Sequence, residues 1–249
     1  MRQFSLIFSA LALTFLLSCT DTDPVAESPV SDDQTAELVG STLSSGGYGL
    51  NATARDASLV ANMTLGFTAG GRQMVCGTQI DSTFTFTSPA GALYSYQYQM
   101  TYTLGIACNS LNIPTALTVT LASTGNFSGQ RWSSENSGSA NLEYTGLLPT
   151  QAVYVLNGEY ERHGTFMSHV GAMDTLQSSI TVTLTNVEID KATQMISSGT
   201  GTVTVEGTTG LGEAFSRQAA ITFEGNGMAT LTIATSVYSL NLQTGDVTK

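Results

Sequence analysis

The sequence predicts an all-β domain: an antiparallel meander of long hairpins forming a sandwich or a flattened, partly open barrel. Three observations predict it. Apolar residues recur with a period of two along nearly every segment after residue 57, which turns one face of each strand to a core and the other to water. No window of useful length carries a helical stripe, and the continuous apolar runs of a parallel sheet are missing. Glycine-containing turn signals separate the alternating runs.

The first predicted strand alternates Leu59, Ala61, Met63, Leu65 and Phe67 with Val60, Asn62, Thr64, Gly66 and Thr68. Ile80, Phe84 and Phe86 share a face on the next. Tyr94, Tyr96, Tyr98, Met100, Tyr102, Leu104 and Ile106 share a face on the one after, with Ser88-Pro89-Ala90-Gly91-Ala92 as the intervening loop. A hairpin centred near residue 92 sets Phe86 opposite Tyr98, Phe84 opposite Met100 and Ile80 opposite Leu104. The same register brings Cys76 opposite Cys108, within disulfide reach for facing antiparallel strands. A Cys76–Cys108 bridge would clasp the open end of the hairpin, with a loop-closure contribution of about 3–4 kcal/mol.

Further along, apolar positions change parity, from Ile180, Val182 and Leu184 to Val187 and Ile189. That break predicts a β-bulge near Thr185-Asn186. Val203 and Val205, Ile221 and Phe223, and Leu231 and Ile233 continue the alternation. Between the last two runs lies Glu224-Gly225-Asn226-Gly227. A three-residue loop over Gly225–Gly227 sets Phe223 opposite Ala229 and Ile221 opposite Leu231, keeping apolar side chains on one face.

Charged residues make up only 11 % of the 249-residue chain, and its formal charge is −11. Polarity comes from Thr and Ser, which suit exposed strand faces. No basic patch is present, which argues against nucleic acid as a partner.

The N-terminus carries Arg2, an apolar run from Phe4 to Leu17, and Leu16-Leu17-Ser18-Cys19. The run is shorter than the roughly 20 residues that span a bilayer. This segment resembles a bacterial lipoprotein signal with its lipobox. The resemblance covers only the export segment, and it implies that Cys19 is lipidated and becomes the first residue of the mature protein. Two or more acyl chains would hold it stably on a membrane. By the sorting rule of Gram-negative envelopes, Thr20 rather than Asp after the cysteine implies the outer membrane, on its periplasmic or surface face. An exported chain also favours the disulfide.

The organisation expected is therefore a signal peptide over 1–18, a lipidated Cys19 with an acidic flexible tether over 19–47, and one β domain over 48–249. The tether carries Asp21, Asp23, Glu27, Asp32, Asp33 and Glu37 without a basic residue, a composition that resists folding. As a coil it would reach about 30 Å.

Candidate sites are few. The row Tyr94, Tyr96, Tyr98 and Tyr102 is either core or a surface for sugar rings or apolar ligands. Trp132, the single tryptophan, is read as a loop-borne contact residue or as packing over a sheet edge. His163 and His169, with Glu159, Glu161 and Asp174 nearby, are read as an exposed polar face rather than a metal or acid–base site. Motifs for a catalytic nucleophile, a zinc protease, a phosphate loop or a dinucleotide fingerprint are missing. No catalytic residue, metal or cofactor is expected. The expected role is a membrane-anchored, non-catalytic lipoprotein acting in binding or assembly. The alternatives are a carbohydrate or small apolar ligand binder using the aromatic face, and a pilin-like or adhesin subunit of a surface assembly. A protein or glycan partner would then join the membrane held through Cys19.

Overall fold

A computed structural model describes residues 28–64, 76–92, 94–169 and 175–249. The expected lipobox with Cys19 and the first part of the expected tether lie outside the described residues. Two helices, α1 (Asp32–Leu43) and α2 (Leu50–Thr64), precede the strands. The strands are β1 (Gln79–Thr87), β2 (Ser95–Cys108), β3 (Pro114–Ser128), β4 (Trp132–Thr145) and β5 (Val153–Ser168). They continue as β6 (Thr175–Asp190), β7 (Ile196–Thr209), β8 (Ala214–Gly225), β9 (Met228–Ile233), β10 (Ser236–Asn241) and β11 (Val247–Thr248). Each pairs antiparallel with its sequence neighbours, so among the described residues one eleven-stranded sheet runs in unbroken chain order, not closed into a barrel.

The alternation read from sequence is the alternation of burial. Tyr98, Met100, Tyr102, Leu104 and Ile106 on β2 point into the core with Leu117, Val119 and Leu121 on β3, while their intervening neighbours are exposed or half-buried. In β1–β2 the pairs Phe86–Tyr98, Phe84–Met100 and Ile80–Leu104 face each other. Cys76 and Cys108 form a disulfide with their Cα atoms 5.7 Å apart. The β6 register shifts between Thr185 and Glu188, with Asn186 at φ 50°. Across β8–β9, Ile221 faces Leu231 and Phe223 faces Ala229 as expected. The turn itself differs from the expected three-residue loop. Gly225 pairs with Met228 after a shift that follows Phe223, so Asn226 and Gly227 form a two-residue turn, at φ 54° and 76°, beside a bulge. Positive φ at both central residues matches the twist of the flanking strands.

The helices correct two expectations. Residues 32–43 are not tether, and Leu59 to Met63 are not strand. Ser31 caps α1: its hydroxyl accepts from the Gln34 N–H, and the Gln34 side chain accepts from the Ser31 N–H, with Asp32 and Asp33 in the first turn. Asp32 and Asp33, two of the acidic residues that suggested disorder, are thus helix-start chemistry. In α2, Leu50, Ala54, Ala57, Ser58, Ala61 and Asn62 fall on one helical face and are buried. Small side chains disguise that stripe. They are required because the helices lie on the concave face of the sheet, where space is short. A Cβ on Gly40 would come within 2.8 Å of the Gly245 carbonyl oxygen.

Polar groups tie the helices to the sheet. Asn51 donates to the Leu242 carbonyl at 3.0 Å and Asn62 to the Lys191 carbonyl at 3.1 Å. Tyr144 donates to the Ala54 carbonyl at 3.2 Å and Tyr154 to the Asn62 side chain at 2.7 Å. Among the described residues the largest fully buried side chains include Arg162 of β5, 1 % exposed. Its guanidinium donates to Asn136 Oδ1 at 3.0 Å, the Ser41 carbonyl at 3.2 Å, the Gly47 carbonyl at 2.9 Å and the Tyr98 hydroxyl. It joins β2, β4 and β5 to the end of α1 and the α1–α2 connection.

Arg162→Met keeps an unbranched side chain but leaves these acceptors without their donor. It should destabilise the fold by about 3 kcal/mol, read from urea unfolding; an unchanged midpoint would remove Arg162 from this role. Burial also raises the hydroxyl pKa of Tyr48, Tyr102, Tyr144, Tyr154 and Tyr160 above the ordinary 10.0. Each holds its proton more tightly folded than unfolded, so the associated stability is complete below pH 10.0 and declines above it. Tyrosinate absorbance should rise together with loss of the sheet circular dichroism in one cooperative step. Titration of these tyrosines in an intact sheet would contradict the burial.

Candidate functional site

The strand order leaves β1 as one edge of the sheet. It is held by β2 and the disulfide, and the helix opposite does not close over it. The gap is an apolar cleft of about 370 Å³ between α2 and the β1–β2 hairpin. Ala57, Leu59 and Val60 line it from α2, Ile80, Phe84 and Phe86 from β1, and Tyr102 and Leu104 from β2. The helical period sets Leu59, Val60 and Met63 on the side of α2 away from its Ala54–Ala61 stripe. Leu59 and Phe84 are 43 % and 47 % exposed, unusual for large apolar side chains brought together in one place.

Two polar side chains, Asp56 and Ser82, interrupt the lining. Tyr48 donates to Asp56 Oδ2 at 2.5 Å, and its ring stacks on Phe86 with centroids 4.5 Å apart. Arg55 approaches the other carboxylate oxygen at 3.5 Å from a half-exposed position. Burial raises the Tyr102 pKa, and the Asp56 charge raises it further. The hydroxyl therefore stays protonated and donates to the Met100 sulfur at 3.6 Å.

The four tyrosines singled out from sequence do not form one accessible row. Tyr98 and Tyr102 are buried, Tyr96 is half-buried and Tyr94 is 40 % exposed. Tyr98 is committed to Arg162 and to Asn136, whose amide donates to its hydroxyl at 3.0 Å. Of the four, only Tyr102 lines the cleft. Trp132 opens β4 rather than sitting in a loop, half-buried and stacked on Phe127 at 4.2 Å between centroids. Tyr94 stacks on the same Phe127, with centroids 6.0 Å apart.

The histidines stay apart. His163 lies 3.4 Å from Glu161 on the exposed face, and His169 contacts Ser133 Oγ and the Gly129 carbonyl, each at 3.1 Å. Asp174 lies outside the described residues. Among the described residues no group of three or more His, Cys, Asp or Glu is arranged to hold a metal. A more polar recess near Asn62, Asp190 and Lys191 is occupied by loop-building bonds: Asp190 Oδ1 accepts from Ala192 and Thr193, and Lys191 donates to the Leu148 carbonyl at 2.7 Å.

Sequence reading found Ile80, Phe84, Phe86 and Tyr102 as one inward face, but missed the opposite wall. Leu59 and Val60 belong to a segment read as strand and Asp56 to the unassigned stretch before it; the signal for their helix was the alanine spacing of residues 52–61. No family model, curated protein or solved structure matches this chain.

A cleft separate from the packed core predicts an uneven cost of truncation. Phe84→Ala should lower stability by only about 1 kcal/mol. Met100→Ala, directly opposite but fully buried, should cost about 2–5 kcal/mol. Equal losses in thermal or urea unfolding would mean that the cleft wall is core.

Proposed function

We propose that this chain is a lipid-anchored, extracytoplasmic binding lipoprotein without catalytic activity, and that its β domain holds a small apolar ligand between α2 and the β1–β2 hairpin. One observation carries the reading: among the described residues, large apolar side chains from three elements line an open cleft. Its volume falls in the range of ligand pockets, about 300–1,000 Å³, and such sites are mostly apolar with a few polar groups. The ligand face is not the tyrosine row that the sequence offered as an alternative to core, although Tyr102 belongs to both. The Cys76–Cys108 bridge accords with an oxidising compartment, and the lipobox supplies the reason for export.

A second reading, as a subunit of a surface assembly, is favoured by the nine-residue edge strand β1. Such an edge accepts an added strand from a partner.

Two measurements test the first reading. Mass spectrometry of the mature protein should find a diacylglycerol-modified Cys19 at the N-terminus; an unmodified cysteine would refute the anchor. The apolar fluorophore N-phenyl-1-naphthylamine should brighten on binding the full chain carrying Cys19→Ser. Ser82→Trp, which fills the cleft from the edge strand, should abolish that signal. Unchanged brightening in the filled variant would place the apolar site elsewhere.

A further inference from the structure

From the polar groups of the cleft we infer the chemical class of its ligand: a single-chain neutral amphiphile with a hydroxyl-bearing head, of the monoacylglycerol type, rather than a free fatty acid. The inference rests on the cleft being a ligand site, as proposed above. The lining is apolar along α2 and β1 except at Asp56 and Ser82. An acyl chain matches Leu59, Val60, Ile80, Phe84 and Leu104. The volume of about 370 Å³ lies at the small end of the pocket range, which suits one chain and not the paired chains of a bilayer phospholipid.

The head is selected by Asp56, the one charged side chain lining the cleft. Its Oδ2 already accepts from Tyr48, and an ionised carboxylate retains further acceptor positions. A ligand hydroxyl can donate to them, and a hydrogen bond to a charged acceptor is worth more than one between neutral groups. A fatty acid carboxylate offers no donor. It would bring a second negative charge beside Asp56 in a region of low dielectric, where repulsion exceeds its value in water. Arg55 does not line the cleft and already faces Asp56 from a half-exposed position, leaving it poorly placed to neutralise an incoming anion. Ser82 adds a neutral hydroxyl that donates or accepts. The whole-chain charge of −11 acts in the same direction, against anionic amphiphiles.

The test is competition against bound N-phenyl-1-naphthylamine on the full chain carrying Cys19→Ser, near neutral pH and below the micelle concentrations of the competitors. Monoolein and oleate share one acyl chain and differ in the head. Monoolein should compete about tenfold more tightly than oleate, a difference of about 1.4 kcal/mol. Asp56→Asn should narrow that ratio by strengthening oleate, with circular dichroism reporting that the sheet is intact. The wild-type ranking decides the matter even where Asp56→Asn fails to fold.

Equal competition by the two ligands, lost for both in Ser82→Trp, overturns the head selection and leaves the apolar site standing. Failure of both ligands to compete, or competition that Ser82→Trp does not touch, overturns the cleft as a site and the head selection with it. A dimer in which a second copy covers Phe84 and Leu59, seen as a doubled mass and no ligand uptake, does the same.

Discussion

A buried guanidinium holds this molecule together. Arg162 sits in the core with no carboxylate partner among the described residues, so its charge is stabilised entirely by oriented dipoles. Two are the Ser41 and Gly47 carbonyls, at the end of α1 and in the connection that follows it. The carboxyl end of a helix carries partial negative charge, which makes it a suitable counterpart for a cation. The other two acceptors, Asn136 and Tyr98, come from strands on either side of β3. Charge burial of this kind is costly unless every bond is made. The arrangement therefore tolerates one placement of the helical hairpin against the sheet, and everything else about the concave face depends on that placement.

The unfilled space follows from it. With α1 pinned near β5 and tied at its start by Asp32 to Ser236 and Asp33 to Tyr238, α2 runs along the sheet with its small-residue face inward. Asn62 fastens its far end to the Lys191 carbonyl and to Tyr154. The helix is held at both ends by polar contacts to strands well away from β1. The edge strand β1 is fastened by its pairing with β2, by the Cys76–Cys108 bridge and by the stacking of Phe86 on Tyr48. Neither set of constraints draws Leu59 onto Phe84, and an apolar gap remains between the two walls. A preformed cleft of this sort binds without first having to order its walls.

Much of the sheet was legible in the chain because its evidence is local and periodic. The facing of Phe84 with Met100 and Phe223 with Ala229 followed from keeping apolar residues on one side, and a one-residue slip would have reversed every side chain. The bulge after Thr185 was visible as a parity break, and the cysteine pairing as a consequence of register. The helices were not read, for physical reasons. The buried stripe of α2 is built from Ala54, Ala57, Ser58 and Ala61, which carry little hydrophobic signal although they pack tightly. Leu59, Ala61 and Met63 imitated a strand because alternate positions happen to be apolar. At α1, Ser31, Asp32, Asp33 and Gln34 form a capping box that resembles disordered acidic composition until the helix after it is recognised.

Within the chain itself lay the antiparallel meander, the registers of β1–β2 and β8–β9, and the disulfide. Each depends on neighbours in sequence or on hairpins joined by short turns, so period and spacing suffice. The placement of the helices on the concave face, the burial of Arg162 and the cleft beside β1 were decided by the tertiary structure alone. They join Ser41 to Arg162, Asn62 to Lys191 and Leu59 to Phe84, pairs whose meeting depends on how far an unclosed sheet curves and on what fills it. No local pattern encodes that curvature, because it is the common solution of many side chains packing at once.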